Sequence, residues 1–210
     1  MKTYKNYIIP IALFVFYTVG VIGILMPSMR SQVLRLTPMN LLLTAFLLLW
    51  GNGKNSVSLI KAVFFAFSLG FIVEVLGVQT GVLFGAYSYG DPLGFKVFDV
   101  PLLIGVNWLI LSFSSLGIAG KIVNSSMFQV ILSSLLMVFL DFIIEPVAIQ
   151  LDFWNWTHGE IPIQNYIMWL ATSLVVNGIA KAYLKEVHFK TSLYVMLAQI
   201  YFFTSLQLFL

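Results

Sequence analysis

Asp141 and Glu145 stand inside one of the most apolar stretches of the chain, running from Val130 to Ala148. A carboxylate near the centre of a bilayer costs about 2.5–3.5 kcal/mol on insertion scales, so two of them in one such stretch imply a task. Their spacing of four residues is slightly more than one helical turn and projects both from one helix face. Two like charges this close cannot both ionise cheaply in a low dielectric, and at least one is expected to keep its proton at neutral pH. A protonated carboxyl in an apolar, aromatic-rich pocket is a Brønsted acid. The bland alternative is a structural pair satisfied by backbone donors. Pro146 is expected to free the carbonyl near Phe142 and to kink the helix end.

Other residues able to do chemistry cluster around this pair in type. Glu74 ends an apolar stretch and leads into Gly77, Gly81 and Gly85, then Tyr87 and Tyr89. That run is either a glycine-rich loop with tyrosines in an interfacial aromatic belt, or a non-helical segment lining a cavity at depth. Asn107 is either interhelical hydrogen-bond glue or a group that orients a carboxyl or a water. Trp154 and Trp156 are interfacial anchors or, together with Trp108, Trp169, Tyr87 and Tyr89, aromatic faces that stabilise a cation. Asn165 opens the stretch that carries Trp169. Acid plus aromatics suggests the making and holding of a carbocation. His158 and His188 are single loop histidines, expected to be solvated. Glu74, Asp141 and Glu145 are conceivable ligands for a hard cation, but nothing in their spacing requires a metal, and none is expected.

These residues must be positioned by membrane helices. The chain has 210 residues, 60% hydrophobic and 9% charged, with a mean hydropathy of +0.98. A soluble domain of this size cannot hide that much apolar surface, so lipid must be its solvent. No charged tail or linker interrupts the chain, and a single integral membrane domain over 1–210 is expected, with its motif-bearing core over 74–169. Cysteine is absent, which excludes disulfides, thiolate metal sites and cysteine nucleophiles. No basic cluster supports nucleic-acid binding. A span needs about 20 mostly apolar residues. Seven stretches qualify, at roughly 7–27, 36–50, 58–77, 100–119, 128–149, 165–184 and 191–210, which predicts an all-α bundle of about seven transmembrane helices. The first is read as a retained helix, because no small-x-small cleavage site follows it.

Charge sets the expected orientation. Lys2, Lys5, Lys54, Lys61, Lys121, Lys181, Lys185 and Lys190 fall on the amino-terminal side, against Arg30, Arg35 and Lys96 on the other. The positive-inside rule then places the N-terminus in the cytoplasm and the C-terminus outside, in the cell membrane. Of the eight acids, only Glu186 falls on the cytoplasmic side. The polar residues converge on the outer half of spans three to six, while spans one, two and seven read as scaffold.

In this order the motifs resemble the integral-membrane carotenoid biosynthesis family, which includes carotenoid 1′,2′-hydratases and bisanhydrobacterioruberin hydratases. Three blocks carry the resemblance. The first is Glu74 through Tyr89. The second is Val100-Pro101-Leu102 leading to Trp108. The third is Asp141-x3-Glu145-Pro146-Val147-Ala148, then Trp154-x-Trp156, then Ile161-Pro162-x2-Asn165-x3-Trp169. The segment Thr157 to Glu160 departs from the family's pattern, and its residues take no family role. The resemblance implies hydration of an acyclic carotenoid end group, without a cofactor, on a substrate dissolved in the bilayer. On this reading Asp141 protonates a terminal alkene. Glu145 or Glu74 tunes that acid, positions the water or takes its proton. Asn107 and Asn165 hold the water, and the tryptophans and tyrosines shield the cation.

Three other readings stand beside it. A lycopene-type cyclase shares the first step but captures the cation with an internal alkene. A magnesium-dependent prenyltransferase is faintly echoed by Asp141-x3-Glu145, but needs Arg or Lys near the acids to neutralise a diphosphate. A small transporter would use the acids as a relay, and predicts acids through the full membrane depth. A seven-helix retinal receptor is excluded, because residues 191–210 contain no lysine.

Overall fold

The computed structural model describes residues 2–53 and 56–210, with the side chains of Lys2 and Thr3 left aside; Lys54, counted above for orientation, lies outside the described residues. The chain folds as an all-α bundle in which 77% of the described residues are helical. The helices are α1 (Lys2–Leu25), α2 (Pro27–Leu34), α3 (Thr37–Asn52), α4 (Val57–Thr80), α5 (Leu103–Ile122), α6 (Ser126–Gln150), α7 (Ile163–Tyr183) and α8 (Phe189–Phe209). Four short strands lie in the connections at one end: β1 (Tyr87–Tyr89), β2 (Lys96–Val97), β3 (Val100–Pro101) and β4 (Trp154–Trp156).

Each of the seven expected stretches coincides with a helix, but the count of seven spans is not reached. Among the described residues five helices, α1, α4, α5, α6 and α8, are long and apolar enough to cross a membrane. A sixth span forms if α2 and α3 are taken together across their 58° bend. Pro27 at the start of α2 and Pro38 at the start of α3 fit first-turn positions, where a missing N–H costs nothing. Helix α7 has the length of a span, but Asn165, Asn177 and Lys181 dilute its hydropathy. The start expected at residue 100 is also corrected. Val97 pairs with Val100 and Lys96 with Pro101, so the chain makes a tight hairpin before α5 begins at Leu103.

Helix α5 is the axis of the bundle. Its span is 83% buried, against 28–44% for the other four apolar spans, whose remaining faces meet lipid. It packs against α3, α4, α6, α7 and α8. The approach of α4 to α5 is written in small residues. Ala62, Ala66, Gly70, Glu74 and Gly77 belong to its buried stripe, the pattern that lets membrane helices come close. A Cβ at Gly70 would collide with the ring of Trp108. The stripe ends at Gly81, whose φ of 65° closes α4 through an N–H bond of 2.8 Å to the Gly77 carbonyl.

Helix α6 does not end at Pro146. It continues to Gln150, and beyond it the Phe153 N–H bonds back to the Ala148 carbonyl at 2.8 Å. This return carries the chain into β4.

Candidate active site

The site is assembled at the stranded end by a two-stranded ribbon lying over three carboxylates. Strands β1 and β4 pair antiparallel, with Tyr87 opposite Trp156, Ser88 opposite Asn155 and Tyr89 opposite Trp154. Strand side chains alternate between faces, so Tyr87, Tyr89, Trp154 and Trp156 share one face. The polar tips of all four meet the acids of the helices below. The reading of the tyrosines as belt residues is thereby set aside in favour of a non-helical segment lining a cavity. The rings also pack on each other: Tyr87 on Trp156 at 5.1 Å and Tyr89 on Trp154 at 6.1 Å between centroids.

Glu74 is held by the tyrosine strand. The Tyr87 and Tyr89 hydroxyls donate to its Oε2 at 2.6 and 2.7 Å, and Trp108 Nε1 donates to its Oε1 at 3.0 Å. Burial, and then the nearby Glu74 carboxylate, pushes both phenols far up, so each keeps its proton and remains a donor. Trp108 is stacked on Trp169 of α7, with centroids 4.3 Å apart and planes inclined by 13°.

Glu145 is held by the tryptophan strand. Trp154 Nε1 and Trp156 Nε1 both donate to its Oε2 at 3.0 Å. Asn165 Nδ2 donates to Glu145 Oε1 at 3.1 Å and to Asp141 Oδ2 at 2.9 Å, bridging the two acids of α6. One helical face therefore carries both carboxyls, as their spacing predicts, and one amide from α7 locks them together.

Asp141 differs from its neighbours. Its Oδ1 is buried and has no hydrogen-bond partner among the described residues. All three acids are nearly inaccessible, with 4%, 1% and 1% of Glu74, Asp141 and Glu145 exposed. They line a small cavity of about 20 Å³, enough for roughly one water. All eleven residues expected at the site from sequence lie on this cavity, joined by Phe84 and Ile104, which sequence reasoning missed. Those two are ordinary apolar residues, and no sequence signal marks them out. Asn107 is half-buried on the wall.

A second cavity adjoins the first. It has a volume of about 190 Å³ and shares Ile104, Asn107 and Trp154 with the acid cavity. Its walls are overwhelmingly apolar and come from α1, α2, α3, α5, α6 and α8, including Phe16, Ile24, Leu41, Ile144 and Phe202. The first, second and last expected spans, read from sequence as scaffold, therefore wall a chamber that shares wall residues with the acid cavity.

Below the site a closed polar layer ties the helices. Ser112 of α5 donates to Asn177 Oδ1 of α7 at 2.6 Å, and Asn177 Nδ2 donates to Ser134 of α6 at 3.2 Å. Among the described residues no three His, Asp or Glu side chains group as a metal-binding set. Two of the cations at the stranded end are engaged elsewhere. Lys96 Nζ donates to the Tyr89 carbonyl at 2.7 Å and pairs with Asp91 at 3.4 Å, and Arg30 Nε donates to the Ile24 carbonyl at 2.8 Å.

No solved structure matches the chain. It is similar to the bisanhydrobacterioruberin hydratase of Haloarcula japonica, with 26% identity over 116 residues, covering 49% of this chain and 38% of that protein's length. The family of carotenoid biosynthesis proteins matches residues 32–210. This stretch takes in the stripe of α4, both strands of the aromatic ribbon and all three carboxylates, and the chain is a membrane protein belonging to the carotenoid biosynthesis family.

Proposed function

We propose that the protein is a cofactor-independent carotenoid hydratase, adding water across the terminal C1′,2′ double bond of an acyclic carotenoid end group such as that of lycopene. The observation that carries this reading is the contrast among the three carboxyls. Glu145 Oε2 faces two indole N–H groups, which can only donate, and so has no room for a proton of its own. Asp141 Oδ1 has no partner among the described residues, and is the oxygen free to carry a proton to an alkene.

Asp141 transfers that proton to C2′, and the alkene's electron pair leaves a tertiary cation at C1′. Glu74 and Glu145, fixed by three donors each, supply preorganised negative charge near the cation. The stacked faces of Trp108 and Trp169 add to it. Water adds at C1′ through one lone pair. The oxonium proton returns to the Asp141 carboxylate, leaving a tertiary alcohol and restoring the acid. Asn165 holds Asp141 in register during both transfers, and Asn107, on the wall of both cavities, steers the water. The small acid cavity has space for the water and the adjoining chamber for the apolar end group. The substrate enters from the bilayer with the rest of its polyene still in lipid. The charge bias of the ends favours an N-terminus in the cytoplasm and acids in the outer half of the cell membrane.

Expression in a lycopene-accumulating bacterial host tests this directly. The expected pigment is heavier by one water and disappears with Asp141→Asn. A product of unchanged mass and shifted retention would instead mean cyclisation, and magnesium-dependent chain extension would mean a prenyltransferase.

A further inference from the structure

The end of the bundle opposite the aromatic ribbon holds a third cavity, of about 600 Å³, which neither the acid chemistry nor an apolar substrate explains. It opens between the end of α5, the start of α6, the end of α7 and the connection to α8. Its wall is mostly polar. Three lysines from three segments line it, Lys121 of α5, Lys181 of α7 and Lys185 of the connection, against one carboxylate, Glu186. None of the three pairs with an acid among the described residues. Lys181 Nζ donates to the Lys185 carbonyl at 2.8 Å and keeps two further N–H groups. Other lysines of this end are used differently. Lys5 donates to the Trp50 carbonyl at 2.7 Å and lies 5.0 Å from the centre of the Trp50 ring, and Lys61 lies 5.8 Å from the centre of the Tyr183 ring.

A charge bias toward one membrane face accounts for lysines at this end, and last-turn lysines complement the dipoles of α5 and α7. Neither effect gathers three of them on one cavity. The start of α6 adds to the same field. No side chain caps it, no acid stands in its first turn, and Ser126 lies on the cavity wall, so backbone N–H groups remain for an anion. Gln129 stands on this wall too and is 7% exposed. Its Nε2 is committed to the Val123 and Asn124 carbonyls at 2.8 and 3.4 Å, which orients the amide, and its Oε1 has no partner among the described residues. The cavity therefore offers cations and N–H donors to an anion, and beside them an acceptor to a hydroxyl.

We propose that this cavity binds a hydroxyl-bearing phosphate ester, the chemistry shared by a phosphatidylglycerol headgroup and by glycerol phosphate. Lys121, Lys181, Lys185 and the start of α6 hold the phosphate, and Gln129 accepts from the hydroxyl. Basic pockets between membrane helices are suited to lipid headgroups. This site is independent of the hydratase proposal.

The full chain in a neutral detergent would be titrated with short-chain phosphatidylglycerol, phosphatidylcholine, phosphatidylmethanol and glycerol 3-phosphate, reading melting temperature and the ligand retained in native mass spectrometry. Phosphatidylglycerol should bind one per chain and at least tenfold more tightly than phosphatidylcholine. Lys121→Gln and Lys185→Gln should each weaken it about fivefold, while Lys190→Gln, at the same end but off the cavity, should leave it unchanged. Gly120→Leu tests the cavity without altering charge: a Cβ there meets only Gln129, at 3.8 Å, and the added side chain should fill the space and weaken binding. Phosphatidylmethanol, with the same charge and no hydroxyl, should bind less tightly than phosphatidylglycerol. Binding of glycerol 3-phosphate alone would assign a soluble ester, and its failure beside bound phosphatidylglycerol a lipid headgroup. Equal binding of phosphatidylglycerol and phosphatidylcholine, an equal loss with Lys190→Gln, or full binding by Gly120→Leu would overturn the site and leave only a charged surface. Equal binding of phosphatidylmethanol would overturn the role of Gln129.

Discussion

Glu74 and Asp141 reach the same small cavity from different helices, yet their surroundings are opposite. Glu74 is saturated: two phenols and an indole donate to it. Asp141 receives one amide bond, and its other oxygen has no partner among the described residues. A saturated carboxyl in a dry site is a structural tie, because removing it strands donors from β1 and α5. A carboxyl with an open oxygen is a reagent, because it can gain or lose a proton without breaking a network. Glu145 belongs with Glu74 by this measure, with two indoles and an amide on it. The four-residue spacing of Asp141 and Glu145 suggests a matched pair, but the structure gives them unequal surroundings.

Asp141→Asn strikes this contrast hardest. Hydratase conversion should fall by about 10²–10⁴-fold, the usual worth of a general acid, with little loss in melting temperature. If the variant instead kept its activity and lost its fold, Asp141 would be structural and the contrast reversed. Glu74→Gln should show the other pattern. It offers donors where donors already stand, so the protein in detergent should lose about 1–3 kcal/mol of stability, read by thermal or denaturant melting, along with its activity. Trp156→Phe removes one of two indole donors from Glu145 while keeping an aromatic ring. Conversion should drop about tenfold, as expected for one hydrogen bond to a charged group. Trp154→Phe should cost less in the same conversion assay, because Trp154 is only half-buried. The smallest effect is expected for Ser112→Ala in the polar layer below the site. It should cost about 1 kcal/mol or less of stability and leave the product profile unchanged, because that layer touches neither cavity.

Residue types and their spacing are enough to establish the solvent, the helical class and the acidic face. A chain this apolar must place its helices in lipid, and carboxylates four apart on one helix must share a side. The polar and aromatic residues of the cavity wall are legible for the same reason, since those types are costly in a membrane and stand out against Leu, Ile and Val. The number of spans is not legible, because hydropathy does not see the 58° bend between α2 and α3, and the polar Asn165, Asn177 and Lys181 leave α7 at the margin of a span.

Which donor meets which acid came from the packing alone. Strands β1 and β4 are separated in the chain by a hairpin and by helices α5 and α6, yet they pair with Tyr89 opposite Trp154. No periodic pattern announces that pairing, and its register is set across the bundle rather than by local propensity. The same holds for the chamber. Gln199 and Asn40 look like isolated polar residues in apolar helices, and only the packing of α1, α3 and α8 around α5 leaves their oxygens without a partner among the described residues on a common wall. Residue types and spacing are local properties that a sequence displays, whereas an unmet hydrogen bond is a property of everything that surrounds it.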